Sequence, residues 1–194
     1  MLLYFLQPGL RGKNIVLLCA SLLFYAWGEP VYVVLMLAVA ALNWGFGMLL
    51  EKKRSRWLLA ACVTLNLLSL AVFKYAGFLV ENCNALFGTA LAVPQISLPI
   101  GISFYTFQAL SYSVDVYRKD VAPQRSYAKL LLYISMFPQL IAGPIVRYVD
   151  VAAQIESRKS DPEDIFRGMT RFCVGLGKKV LLADYAGSAA SKIL

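Results

Sequence analysis

Histidine is absent from all 194 residues. Within its own length the chain therefore has no imidazole to serve as a general base near neutral pH, and no histidine metal ligand. Cysteine is scarce as well. The four, Cys19, Cys62, Cys83 and Cys173, stand far apart, which fits neither a disulfide framework nor a metal-type spacing, so packing is their expected role. Charged residues make up only 15% of the chain against 59% hydrophobic, with a mean hydropathy of +0.64. That balance excludes a soluble globular domain and points to a membrane protein. There is no repeat of fixed period, low-complexity tract, phosphate-binding glycine loop or Cys/His cluster. A net charge of +8 would suit a nucleic-acid partner, but the cations fall at the ends of apolar runs and not on one soluble face. Topology explains them, and no nucleic acid is expected.

What the sequence does contain is a succession of apolar runs near the roughly 20 residues that cross a hydrocarbon core, separated by short charged loops. Residues 1–194 read as a single all-α polytopic transmembrane domain, a multi-helix bundle in the lipid bilayer. Met1 to Leu6 is too short to span and ends at Gln7-Pro8-Gly9, like the tail of a helix. A signal peptide does not fit, because the run Ile15 to Trp27 behind Arg11 and Lys13 ends in FYAWGEP and not in a small-residue cleavage site. That run reads as a tilted or membrane-thinning helix anchored by Tyr25 and Trp27. Gly28-Glu29-Pro30 turns the chain into Pro30 to Leu50, where Asn43, Gly45 and Gly47 form a small, polar stripe for close helix contact. The cluster Glu51 to Arg56 ends that span. Trp57 to Leu79 is the next, with Lys74 snorkelling toward the interface near Glu81 and Asn82. A loop is expected from Glu81 to Ser97.

Leu98 to Tyr117 is helical in pattern but carries Ser103, Tyr105, Thr106, Gln108, Ser111, Tyr112 and Ser113. So many polar groups must face other helices or a polar cavity. For Asp115, pairing with Arg118 one turn later is the expected role. Alternating the spans puts Arg11, Lys13 and the clusters at 51–56 and 118–129 on one side. The Gly28-Glu29-Pro30 turn and the 81–97 loop, both free of lysine and arginine, fall on the other. By the positive-inside rule the basic side is cytoplasmic.

The segment Leu130 to Asp150, LLLYISMFPQLIAGPIVRYVD, cannot be one regular spanning helix, because Pro138 and Pro144 each remove a backbone donor and disfavour helix at the preceding residue. A re-entrant, proline-broken excursion returning to the basic side is expected, packed inside a shell of other helices that satisfy its freed backbone groups. Pro162, with Glu163 and Asp164 behind it, starts a helix through Tyr185 whose apolar face is broken by Arg167, Arg171, Lys178 and Lys179. It reads as an amphipathic helix along the cytoplasmic interface or packed under the core.

Five strings, in this order, resemble the membrane-bound O-acyltransferase family: SLLFYAWGEP at 21–30, VFKYAGF at 72–78, LPIGISFYTFQALSYSVDVYR at 98–118, FPQLIAGPIVRYVD at 137–150 and FRGMTRFCVGLGKKVLLAD at 166–184. The wording is similar to the bacterial branch of the alginate O-acetyltransferase membrane subunit, nearer to it than to the teichoic-acid D-alanyl transfer branch. The resemblance implies the N-terminal portion of a multi-helix enzyme in the bacterial inner membrane. Such an enzyme takes an acyl group, typically acetyl, from a cytoplasmic acyl-CoA or acyl-carrier thioester, with no bound cofactor and no metal. It passes that group to a hydroxyl on an extracytoplasmic polysaccharide, directly or through a periplasmic or extracellular partner protein. It also implies a membrane-embedded histidine base, which this chain lacks, so the catalytic half is expected beyond Leu194 and no catalytic residue is assigned here. The positions that match the signature are Phe137, Pro138, Gln139, Gly143, Pro144, Arg147 and Tyr148, as structural or channel-lining residues. Pro138, Gly143 and Pro144 shape the bend, Gln139 hydrogen-bonds exposed backbone, and Arg147 with Tyr148 is either a positive-inside anchor or a contact for the donor's phosphates. A non-catalytic membrane scaffold is the alternative. A transporter fragment fits less well, because the spans hold only Lys74 and the interfacial Asp115 as charges.

Overall fold

In the computed structural model, which describes residues 2–94, 96–140, 143–158 and 161–193, the chain forms two compact units, Met1–Ser157 and Arg158–Leu194. The described residues are helical or irregular, with no strand among them. The first unit holds α1 (Leu2–Phe5), α2 (Leu10–Gly28), α3 (Val33–Lys52), α4 (Arg56–Phe87), α5 (Ile102–Arg118), α6 (Tyr127–Ser135), α7 (Phe137–Leu140) and α8 (Tyr148–Glu156).

α5 sits at the centre, against α3, α4, α6 and α8, while α2 packs on α6 and α7. Tyr105, Thr106, Gln108, Tyr112 and Ser113 of α5 are buried, and Ser103 and Ser111 partly so, as their polarity demands. Asn43 of α3 donates to Asn66 of α4 at 2.9 Å and accepts from Ser113 of α5 at 2.8 Å, with Cys62 at its edge. One amide side chain thus joins three helices. At Gly47 a Cβ would stand 2.5 Å from the Tyr112 hydroxyl, so this glycine lets α3 and α5 close; Gly45 faces open space and takes no part.

The outer faces show the opposite chemistry. α4 buries Cys62, Asn66 and Leu70 and exposes Trp57, Leu65, Leu67, Leu68, Val72, Phe78 and Leu79. Polar groups inside and large apolar groups outside are what hydrocarbon, not water, selects. α3 and α4 are long and apolar enough to cross a membrane. α2 and α5, expected as spans, are not among the helices that meet this criterion: α2 starts at Leu10 and so takes in Arg11 and Lys13, and α5 has only 17 residues.

Several boundaries differ from the sequence reading. α4 continues through Glu81 and Asn82 to Phe87, because Asn82 bonds back to the Phe78 carbonyl at 2.6 Å and the helix is closed only by Gly88 in the left-handed region, at φ 63°. Residues 98–101 are not helical. Gly101, at φ 78°, precedes α5, and a Cβ there would lie 2.9 Å from the Leu140 carbonyl oxygen. Of the cysteines only Cys62 is buried; Cys19, Cys83 and Cys173 are exposed, so three of the four do not pack in the interior.

Ends of the bundle sort by charge. Glu51 bonds Arg125 at 2.8 Å and Arg54 lies over the Tyr117 ring at 5.1 Å, bringing the 51–56 and 118–129 clusters together. The Tyr32 hydroxyl donates to the Ser97 carbonyl at 3.0 Å and the Ile100 amide to Glu29 at 3.2 Å, joining the two loops without lysine or arginine.

In the second unit Asp161 caps α9 (Pro162–Lys178) by accepting from the Glu163 amide, with Pro162 in the first turn. A π-helical turn, Lys179–Ala183, leads to α10 (Asp184–Ile193). The expected helix from Pro162 is present, with that turn as its interruption.

Candidate functional site

A helix running from Tyr127 onward would have the Phe137 amide donate to the Tyr133 carbonyl and would need a donor at Pro138 that proline lacks. The chain breaks at Met136 instead, between α6 and α7. Two of the groups this frees, the Phe137 amide and the Tyr133 carbonyl, find side-chain partners. The Phe137 amide donates to Ser21 Oγ of α2 at 3.3 Å, and the Tyr133 carbonyl accepts from Gln108 of α5 and from Gln139, each at 2.9 Å. Gln139 thus satisfies a backbone carbonyl inside the bend. Phe137 leans on Phe24, with ring centroids 6.0 Å apart.

From Gly143 to Arg147 the backbone is irregular. A Cβ on Gly143 would collide with the Gln139 Cα and come within 3.0 Å of the Pro138 carbonyl, so glycine alone lets the chain fold back over α7. Pro144 is exposed and keeps the preceding backbone out of helix. Ile141 and Ala142 of the signature lie outside the described residues.

The return limb is held by aromatic rings. The Tyr133 hydroxyl donates to the Val146 carbonyl at 2.7 Å. Tyr148 stands edge-on to Tyr133 and Tyr112, with centroids 5.1 and 5.0 Å away, and its hydroxyl accepts from Gln124 at 2.9 Å. Gln124 also donates to Glu156 at 2.8 Å and accepts from the Ser126 amide at 2.9 Å. Lys129 pairs with Glu156 across α6 and α8; its hydrogen bond, then that of Gln124, holds the Glu156 carboxyl below its ordinary range.

Arg147 has a partner the sequence did not suggest. Its guanidinium bonds the carboxylate of Asp115, whose side chain is 2% exposed, and reaches Asp120 at 3.4 Å. Asp115 thus pairs with Arg147 and not with Arg118, which is exposed and forms no ion pair among the described residues. Arg118 points away because α5 turns its other face, that of Tyr105, Tyr112 and Asp115, to the core. The hydrogen bond that Arg147 donates to the Asp115 carboxylate raises the Arg147 pKa above its already high range, so this cation is permanent. It ties the end of the irregular stretch to α5.

Sequence reasoning missed Ser21, Gln124 and Tyr133 as members of this site. The contacts of Ser21 and Gln124 span 116 and 24 residues, and nothing in their local pattern marks them. Among the described residues no group of His, Cys, Asp and Glu could hold a metal ion. What the assembly does is fix a non-helical turn inside a helical shell.

Over 192 residues the chain is 39% identical to the probable alginate O-acetylase of Azotobacter vinelandii, an alignment that takes in 94% of this chain and 38% of that protein. It is 37% identical over 198 residues to the probable alginate O-acetylase of Pseudomonas aeruginosa, covering 97% of this chain and 38% of that one. A peptidoglycan O-acetyltransferase of Helicobacter pylori is 28% identical over 200 residues, 87% of this chain and 38% of the relative. No family model matches the chain, and no solved structure does. The chain spans less than two fifths of the length of these curated relatives. Over nearly all of its own length the chain is thus similar, at 37–39% identity, to alginate O-acetylases of the membrane-bound O-acyltransferase family.

Proposed function

We propose that this chain is the framework part of a bacterial inner-membrane O-acetyltransferase that moves acetyl from a cytoplasmic thioester, acyl-CoA or an acyl-carrier protein, toward a hydroxyl of an extracytoplasmic polysaccharide, alginate or a similar envelope glycan. The observation that carries this reading is the identity to alginate O-acetylases over 94% of the chain. In this reaction an acceptor oxygen attacks the thioester carbonyl, a base takes its proton and the thiolate leaves. The sequence holds no histidine, and the histidine base that the family resemblance implies would lie outside these residues. The residues here position: Gln108, Gln139 and Ser21 satisfy the broken backbone, and Arg147 fixes its exit through Asp115. The basic end of the bundle, with 51–56 and 118–129, faces the cytoplasm, where its cations avoid translocation. A periplasmic or extracellular partner protein would receive the acetyl group in a relayed version of the reaction.

The test begins with the reading frame past codon 194, where further apolar spans with a histidine inside one of them are expected. That full frame is then expressed in an alginate-producing bacterium lacking its own O-acetylase, and ester-linked acetate is measured on the secreted alginate by proton NMR. Restored acetate that disappears when the histidine is replaced supports the reading. Acetate on peptidoglycan instead would favour the second acceptor, which the Helicobacter pylori relative suggests. A frame without such a histidine, and no acetate on either polymer, would leave a non-catalytic scaffold.

A further inference from the structure

At the basic end of the first unit, α2, α6 and α8 leave a groove that no part of the acyl-transfer reading uses. Its upper chamber, about 380 Å³, is lined by Arg11, Asn14, Ile15, Leu18, Ser126 and Lys129. An adjoining chamber of about 420 Å³ shares Arg11, Asn14 and Lys129 and ends at Ile155 and Glu156. Arg11, Ile15 and Leu18 stand at i, i+4 and i+7 on α2, hence on one face, over a rise of about 10 Å. The groove therefore has a cationic mouth and an apolar wall leading away from it along the helix.

Its charge balance is specific. Lys129 is matched by Glu156, whereas Arg11 is exposed and forms no ion pair among the described residues. The lining thus carries one net positive charge. Ile15 is 59% exposed and Leu18 only partly buried, so the wall is open to an apolar chain. Asn14 is buried and donates to the Ile155 carbonyl at 3.0 Å, which keeps the floor of the groove fixed.

We propose that this groove binds one anionic phospholipid of single negative charge, its phosphate at Arg11 beside Lys129 and an acyl chain along Ile15 and Leu18. A basic pocket between helices at the cytoplasmic interface is a suitable headgroup site, and a single unmatched cation suits one phosphodiester. The thioester donor's own phosphates are the other possible anion. They bring several charges and a polar nucleotide or protein, for which the groove offers one free cation and an apolar wall.

The purified membrane protein is reconstituted in detergent with mixtures of phosphatidylglycerol and phosphatidylcholine, and retained lipid is counted by native mass spectrometry for wild type, Arg11→Ala and Arg11→Lys. Wild type is expected to retain one phosphatidylglycerol in preference to phosphatidylcholine. Arg11→Ala is expected to lose about fivefold of that preference and Arg11→Lys to keep most of it. Arg125→Ala, a cation removed at the Glu51 contact, should leave it unchanged. Equal retention of the two lipids, or the same preference in Arg11→Ala as in wild type, would overturn the proposal. So would displacement of the lipid by coenzyme A at equimolar concentration, which would assign the groove to the donor. None of these readouts depends on acetyl transfer, so this site and the enzymatic reading stand or fall separately.

Discussion

Arg147 reaches back 32 residues to the buried carboxylate of Asp115, so the last residue of the irregular stretch is bonded to the central helix of the bundle. Removing either partner leaves the other without its counter-charge, and an Asp115 left charged and unpaired in the interior is the worse case. Arg147→Gln should therefore lower thermal stability more than Arg147→Gln combined with Asp115→Asn, measured by fluorescence-detected melting in detergent. A double variant no better than the sum of the singles would mean that the two are not coupled.

The Tyr133 carbonyl has two donors, so its loss should show in steps. Gln139→Ala and Gln108→Ala should each cost about 1 kcal/mol while the other amide remains. Together they should cost about 1–3 kcal/mol more than the sum, because a buried carbonyl is then bare. Urea or thermal unfolding of the two singles and the double decides this.

Glycine substitutions separate backbone strain from crowding. Gly88, at φ 63°, has nothing within 4 Å of where a Cβ would be, so Gly88→Ala should cost about 1–2 kcal/mol, the left-handed penalty alone. Gly101→Ala adds a clash with the Leu140 carbonyl to the same penalty. It should be measurably worse, and a ranking with Gly88→Ala as the more damaging change would contradict the geometry.

Asn43→Ala removes the amide that joins α3, α4 and α5. Interhelical hydrogen bonds in membranes are each worth about 0.6–1.7 kcal/mol, and Asn43 serves Asn66 and Ser113 at once, so a loss of roughly 1–3 kcal/mol is expected by the same unfolding measurement.

Acid should loosen α8 from α6. The folded state lowers the Glu156 pKa below its ordinary 4.5. The stabilisation from Lys129 and Gln124 is therefore fully present above that value and is lost as pH falls through the lower folded value. Melting temperature followed from pH 7 down to pH 3 should fall less steeply in Glu156→Gln than in wild type.

Much of this architecture was readable in the residues. The hydroxyl-rich face at 103–113 had to turn inward, because lipid offers no partner for it, and two prolines within seven residues had to break a helix. The sorting of basic and non-basic loops follows from alternation of the spans, and the contacts of Glu51 with Arg125 and of Tyr32 with Ser97 agree with it. What could not be read was pairing at distance. Local rules offered Arg118 to Asp115, since they are a turn apart, but helix rotation is fixed by the neighbours of α5 and puts Arg118 outside. In the same way the local pattern ends α4 before the first acidic and amide residues, whereas the helix continues until Gly88 takes the left-handed conformation.

The handover of the Phe137 amide to Ser21, 116 residues earlier, has a consequence for biosynthesis. The turn after α6 satisfies itself only in part: Gln139 serves the Tyr133 carbonyl, while Ser21 of α2 and Gln108 of α5 supply the other partners. Both of those helices leave the ribosome before it does, so the receiving groups are in place when Tyr133 to Gln139 emerges. A permuted gene that made residues 127–157 first would present hydrocarbon with bare backbone groups, and its product would go to the quality-control proteases and not to a folded membrane pool.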